Sequence, residues 1–260
     1  MIPKIIHYCW FGGADKTETA KKCIKSWKKY CKKYEIIEWN ESNFDLSKTP
    51  KFVQDAYEQK KWAFVTDYVR LKVVYDHGGI YFDTDVELLK RIKKILNCSA
   101  YFGQEFDQYV NTGLGFGAEK NAPILKELYS VYDNPELVFD SNNITSITCP
   151  KLNEPIFEKY GYKKVNSVQK LKDGVIIYPP EYFCPMDTDL NMSKTKNTIS
   201  IHHFDASWDN DIHKKMEYFR YAKEQDRKTK IRRLFSVRWY VYKIIGEKNF
   251  NKLKKLFRRK

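Results

Sequence analysis

The sequence predicts an α/β domain with a largely parallel central sheet, followed by a basic helical tail. Two observations carry the domain. Short apolar runs alternate with segments of helical periodicity, the pattern of a sheet wrapped by crossover helices. Glycine pairs stand where such elements must stop, at Gly12-Gly13 and Gly78-Gly79. A third observation separates the tail. Residues 214–260 hold 18 Lys and Arg against 4 Asp and Glu, which accounts for the whole net charge of +14 and leaves residues 1–213 neutral.

The elements follow in order. Lys4 to Trp10 is a short apolar run and reads as a buried strand. Thr17 to Tyr30 is Lys-rich, with Ala20, Ile24 and Trp27 at helical spacing, and reads as a surface helix. Tyr34 to Trp39 reads as a strand, Pro50 to Gln59 as a short helix, and Trp62 to His77 as a longer helix capped by Gly78-Gly79. Ile80 to Leu89 is expected to be one strand. Ser99 to Gly103 and Thr112 to Gly117 are expected strands, Pro123 to Tyr132 a helix, and residues 133–170 loops with a helix near Glu154–Tyr160. Val175 to Tyr178 and Ile199 to His203 close the domain as short strands.

Composition narrows the function classes. A chain of 260 residues with 42% hydrophobic and 16% aromatic content is long and apolar enough for a full core, and too aromatic for disorder. No run approaches the length of a membrane-spanning helix, and Met1 to His7 lacks the pattern of a signal peptide. The six cysteines form no C-x-x-C, so the expected setting is cytoplasmic with reduced thiols. A neutral body argues against nucleic acid as a partner. In the tail, Trp239, Tyr240, Tyr242, Phe250 and Phe257 are interleaved with Lys and Arg. This suits an amphipathic helix at an anionic membrane surface, on the inner face; the alternative is a helical pair packed on the body.

The chemistry concentrates in residues 63–86. Three Asp-x-Asp triplets occur, Asp83/Asp85, Asp187/Asp189 and Asp209/Asp211, so the bare triplet decides nothing. Context selects the first. Asp83 and Asp85 interrupt an apolar run, and alternation puts them on one face with Tyr81, away from Phe82, Thr84 and Val86. Two carboxylates in a buried strand need compensation, which a divalent cation such as Mn2+ or Mg2+ supplies. Asp187/Asp189 reads as a loop and Asp209/Asp211 as a helix cap. In the preceding helix, Asp67 and Arg70 share a face, which is expected to line the same pocket; the alternative is a surface ion pair.

The run Phe64-Val65-Thr66-Asp67-Tyr68-Val69-Arg70, continued by Val74-Tyr75-Asp76-His77-Gly78-Gly79-Ile80-Tyr81-Phe82-Asp83-Thr84-Asp85-Val86, resembles the signature of glycosyltransferases with the DXD sugar-binding region. Ile2 to Gly12 resembles the first strand of that family, and His202-His203 with Ser207-Trp208 its closing element; together the likeness spans roughly residues 1–210. The resemblance implies a GT-A fold over residues 1–213, a nucleotide-sugar donor, a divalent metal and a retaining outcome. Asp83 and Asp85 would hold the metal, with His203 as third ligand. Strand alternation sends His202 and His203 to opposite faces and leaves the choice between them open. Asp67 and Arg70 would bind donor sugar and diphosphate, and Trp10 would stack on the base. Tyr81, Thr84, Asn111, Ser207 and Trp208 would complete the donor site. UDP-galactose, UDP-glucose and UDP-N-acetylglucosamine are favoured over GDP-mannose. The acceptor would be a saccharide or lipid-linked saccharide in surface polysaccharide or oligosaccharide synthesis.

Other readings are weaker. Gly113-Leu114-Gly115-Phe116-Gly117-Ala118 fits G-x-G-x-x-A but precedes no helix directly, so it reads with Asn111 as a small-residue wall near the sugar. A glycoside hydrolase would need carboxylates on both sides of its substrate. A transferase-like effector acting on protein, or a sugar-binding membrane adaptor without turnover, are the remaining alternatives.

Overall fold

The computed structural model describes residues 1–140, 147–185 and 192–204. The elements alternate as expected: β1 (Ile5–Cys9), α1 (Glu18–Tyr30), β2 (Glu35–Trp39), α2 (Lys51–Glu58), α3 (Trp62–His77), β3 (Gly79–Tyr81), β4 (Val86–Leu88), β5 (Ala100–Gln104), β6 (Val110–Asn111), β7 (Phe116–Ala118), α4 (Pro123–Ser130), α5 (Cys149–Lys159), β8 (Gln169–Lys170), β9 (Val175–Tyr178), α6 (Pro180–Phe183) and β10 (Ser200–His202). The main sheet has the order β2-β1-β3-β7-β5-β9-β8, with β6 paired to β5. β1 is parallel to β2 and β3, and β5 to β9. β7 enters antiparallel between β3 and β5, so β1, β2, β3, β5 and β9 all run one way. The sheet is thus mostly parallel. The tail and the expected boundary at residue 213 lie outside the described residues. Among the described residues, no helix is long and apolar enough to cross a membrane, and the six cysteines form no disulfide.

Two expectations are corrected. Ile80 to Leu89 is not one strand. It divides into β3 and β4 around a turn at residues 82–85, closed by the Val86 N–H donating to the Asp83 carbonyl at 3.0 Å. Asp83 and Asp85 are therefore turn residues, and strict strand alternation does not govern them. Thr112 to Gly117 is likewise split. A short 3-10 turn spans Thr112–Leu114 before β7, and Asn111 caps it by accepting from the Gly113 N–H at 2.6 Å.

Local chemistry explains the frame around that turn. Thr17 caps α1 by accepting from the Ala20 N–H. The opposite face of α1 buries Trp27 completely. The Trp27 indole N–H donates to the Val86 carbonyl at 2.8 Å, and the Ser26 hydroxyl accepts from the Leu88 N–H at 2.9 Å. α1 thereby anchors β4, the strand that follows the acidic turn. On the other side, α3 ends at Gly78, whose φ of +66° belongs to glycine. Gly79, at φ +111°, lies so close to β1 that a Cβ would stand 2.8 Å from the Ile5 carbonyl oxygen. His7, fully buried, fastens this corner. Burial holds its imidazole down to about 4 despite the Gly78 hydrogen bond, so the ring is neutral. The Trp39 indole N–H donates to Nδ1 at 3.1 Å, which leaves the Nε2 proton to donate to the Gly78 carbonyl at 2.8 Å.

The candidate active site

The site forms where β1 and β3 end side by side, at the carboxyl edge of the parallel strands. Open α/β sheets place ligands at that edge. His7 pairs with Tyr81, and the Phe82 N–H continues the ladder to the His7 carbonyl. The chain then turns, and the turn presents Asp83 and Asp85.

Arg70 organises the charges. Its side chain is 4% exposed. Its Nη2 lies 2.7 Å from Asp67 Oδ1, and its Nη1 lies 3.5 Å from Asp83 Oδ2. The rest of the guanidinium is held by Thr66, with Nε donating to its carbonyl at 3.0 Å, and by Thr112 Oγ1 at 3.4 Å. Arg70 also packs 5.3 Å from the centre of the Tyr81 ring. The Tyr81 hydroxyl donates to Asp83 Oδ1 at 2.8 Å. A guanidinium gripped on every side cannot swing into solvent, so its charge stays fixed between the two carboxylates.

The electrostatics follow from burial. Withdrawal from water pushes Asp67 up to about 6, with Arg70 opposing and Asp83 adding to the rise. Asp83 is raised for the same reason; Arg70 pulls against the rise and Asp85 reinforces it. Two acidic groups each made hard to ionise, sharing one arginine, leave room for more positive charge.

A second sheet supplies a partner. β10 pairs antiparallel with β4, His202 opposite Val86, and the His203 N–H extends the ladder to the Asp85 carbonyl. His202 Nε2 then lies 3.3 Å from Asp85 Oδ1. Burial disfavours its charge, but Asp85, and behind it Asp83, raise it to about 9. Its Nδ1 is buried without a hydrogen-bond partner among the described residues. His203 faces the other way, with Nε2 2.9 Å from Glu87 Oε2. The structure thus sets His202, rather than the expected His203, beside the two aspartates. Asp85 leaves strand alternation in the turn, and this lets its carboxylate reach the ring of His202 rather than that of the directly opposite His203.

Asp83, Asp85 and His202 each offer one ligand atom, and these atoms lie within 4.8 Å of one another. A cation bound at about 2.1 Å spaces its ligand atoms about 3 to 4.3 Å apart, so closing on one asks only for small side-chain adjustments. Two carboxylate oxygens and one imidazole nitrogen suit Mn2+ or Mg2+, and the donor set fits.

The other expected residues are placed as follows. Trp10 follows β1 at the same edge, half-buried, its indole N–H donating to the Ala14 carbonyl at 2.7 Å. Thr84 is half-buried in the acidic turn. Asn111 belongs to the wall. A Cβ on Gly113 would stand 2.5 Å from Asp83 Oδ2 and 3.1 Å from Arg70 Nη1. Of the expected small-residue wall, Gly113 lies beside Asp83 and Arg70, whereas Gly115 and Gly117 pack against Phe82 and Tyr101. Ser207, Trp208, Asp187/Asp189 and Asp209/Asp211 lie outside the described residues. Two residues were not legible beforehand. Cys149 opens α5, with Sγ 3.6 Å from both Thr112 Oγ1 and Asn111 Oδ1. Glu105 follows β5, with its carboxylate on the Asn111 amide. Neither belongs to a motif; only the hairpin pairing and the docking of α5 bring them in.

Comparison with known proteins defines the class. Residues 17–102 match the family model described as the glycosyltransferase sugar-binding region containing a DXD motif. This span holds Asp67, Arg70, Asp83 and Asp85, and the other two Asp-x-Asp triplets fall outside it. The chain is a glycosyltransferase, and its DXD is Asp83-Thr84-Asp85. A curated relative, an uncharacterised glycosyltransferase of Acanthamoeba polyphaga mimivirus, is 24% identical over 226 residues, covering 80% of this chain and 84% of the relative. Among solved structures, the PaToxG glycosyltransferase aligns with a TM-score of 0.48 at 18% identity, over 61% of this chain and 68% of its own. A glycosyltransferase involved in glycosylation of the major capsid of PBCV-1 aligns at 0.47 and 16% identity, over 83% of this chain and 100% of its own.

Proposed function

We propose that this glycosyltransferase takes a nucleotide-activated hexose, with UDP-hexoses favoured, and transfers the sugar with retention to a saccharide or lipid-linked acceptor. The reading rests above all on Arg70, buried and fixed between Asp67 and Asp83 beside a cluster able to hold a divalent cation. Asp83, Asp85 and His202 would hold Mn2+ or Mg2+, which when bound supplies positive charge opposite the leaving diphosphate. Arg70 would add charge on the donor side, and its immobility means that little reorganisation is needed as charge develops. Asp67 and Asn111 would orient sugar hydroxyls, and Trp10 would receive the base. Acceptor attack on the face the diphosphate leaves is the simplest retaining route.

The basic residues 214–260 would hold the enzyme on the inner face of an anionic membrane, where a lipid-linked acceptor resides. The decisive experiment is a panel of UDP- and GDP-sugars with Mn2+, read by release of nucleoside diphosphate. One accepted sugar, with loss of activity in EDTA and recovery on adding Mn2+, is the expected result. Turnover that EDTA leaves untouched would remove the metal from the proposal. Truncation after Arg227 tests the tail: donor hydrolysis should persist and binding to anionic liposomes should disappear.

A further inference from the structure

Glu105 lies outside residues 17–102 and outside every motif, yet it meets the wall of the site. It sits at the base of the β5–β6 hairpin, where Gly103 pairs with Asn111, Gln104 with Val110, and the Glu105 N–H donates to the Tyr109 carbonyl at 2.8 Å. This register puts Glu105 and Asn111 on one face as diagonal neighbours. Asn111 Nδ2 donates to Glu105 Oε1 at 2.8 Å, and Asn111 Oδ1 accepts from the Gly113 N–H at 2.6 Å.

Two of the three partners of the Asn111 amide are one-way, and the third, the Cys149 thiol, also donates to Oδ1. A backbone N–H only donates, and an ionised carboxylate only accepts. The amide therefore has one orientation, oxygen toward Gly113 and nitrogen toward Glu105. The connection ends on the charged centre, because the Gly113 backbone lies against Asp83 and Arg70. Burial raises the Glu105 carboxyl, with Asn111 and His202 opposing the rise. Asn111 is thus the hydrogen-bond partner of a half-buried carboxylate that also feels the charge of His202.

We infer that Glu105 is a positioning residue for the donor sugar: it locks the Asn111 amide so that its second N–H is presented to a sugar hydroxyl beside Asp83 and Arg70. This rests on the donor site proposed above. A site built to donate to one hydroxyl rejects an analogue lacking it, because its buried donor is left unpaired. Glu105 thus contributes to the choice of hexose without touching it. Glu105→Gln removes the fixed acceptor at the nitrogen end, since a glutamine amide can turn its own N–H toward Asn111, and leaves the Asn111 amide held at its oxygen end alone, by the Gly113 N–H and the Cys149 thiol.

The test uses the full-length protein with the sugar nucleotide that the donor panel identifies, its epimer or deoxy analogue, and the matching UDP or GDP with Mn2+. For Glu105→Gln we expect KM for the donor to rise about tenfold and discrimination against the analogue to fall by a similar factor. Affinity for the nucleoside diphosphate should stay within about twofold of wild type. Glu105→Asp, which still only accepts, should retain discrimination; Glu105→Leu, which offers no acceptor to the Asn111 amide, should lose it and replaces Glu105→Gln if the latter fails to fold. Equal weakening of sugar nucleotide and nucleoside diphosphate would overturn the inference by moving Glu105 to the diphosphate side. So would a lower melting temperature with discrimination intact. If wild-type protein binds neither UDP nor GDP with Mn2+, the donor-site reading itself falls and the inference with it.

Discussion

His202 and Asp85 meet across the β4–β10 ladder, Nε2 to Oδ1 at 3.3 Å, while the adjacent His203 turns its ring to Glu87. The proposed metal site therefore takes the first histidine of the pair. His202→Ala is expected to weaken Mn2+ binding about 10- to 100-fold, the range that loss of a metal-site partner produces. His203→Ala should change it by no more than about twofold. Isothermal titration of both variants with Mn2+ decides the order, and the reverse order would return the role to His203.

Asp83→Asn and Asp85→Asn are expected to lower turnover at least about a thousandfold with the fold retained, because each removes a carboxylate from the cation cluster. Asp187→Asn and Asp209→Asn, outside the matched region, should stay within about threefold of wild type. Steady-state turnover with circular dichroism as a folding control makes the comparison. A large loss at Asp187 or Asp209 would mean a different triplet carries the chemistry.

Arg70→Met leaves Asp67 and Asp83 facing each other without their shared cation. Breaking a buried pair in this way costs about 3–5 kcal/mol. The double variant Arg70→Met/Asp67→Asn should recover part of that loss while remaining inactive. Urea unfolding midpoints measure both. A single variant as stable as wild type would show that the guanidinium is not what holds the two carboxylates.

The raised His202 gives a pH signature in metal-free protein. Its folded value near 9 exceeds the ordinary 6.5, so the folded state binds the proton more tightly. The resulting stability is present below about pH 6.5 and is lost as pH rises through about 9. The contribution is on the order of 1–3 kcal/mol. Denaturation in EDTA at pH 6.5 and pH 9.5 should show the loss in wild type and a smaller one in His202→Gln. An equal loss in the variant would assign the titration to another group.

Much of this protein is legible in its sequence because the signals are local. Apolar runs, helical periodicity in α1 and the positive-φ glycines at 78 and 79 mark where the elements begin and end. Asp67 and Arg70 share a face because three residues on a helix always do, and their ion pair is the outcome. The apolar flanks of Asp83 and Asp85 distinguish that triplet from the other two. Tertiary structure decided what local pattern does not encode. A tight turn inside the Ile80–Leu89 run took Asp83 and Asp85 out of alternation, since the Val86 N–H bonds back to Asp83 instead of to a neighbouring strand. The register of β10 on β4, a pairing between segments more than a hundred residues apart, chose His202. The β5–β6 hairpin and the docking of α5 brought Glu105 and Cys149 to the wall. Side-chain period follows from backbone geometry and is written in each segment, whereas register and docking are settled only by which buried surfaces fit together.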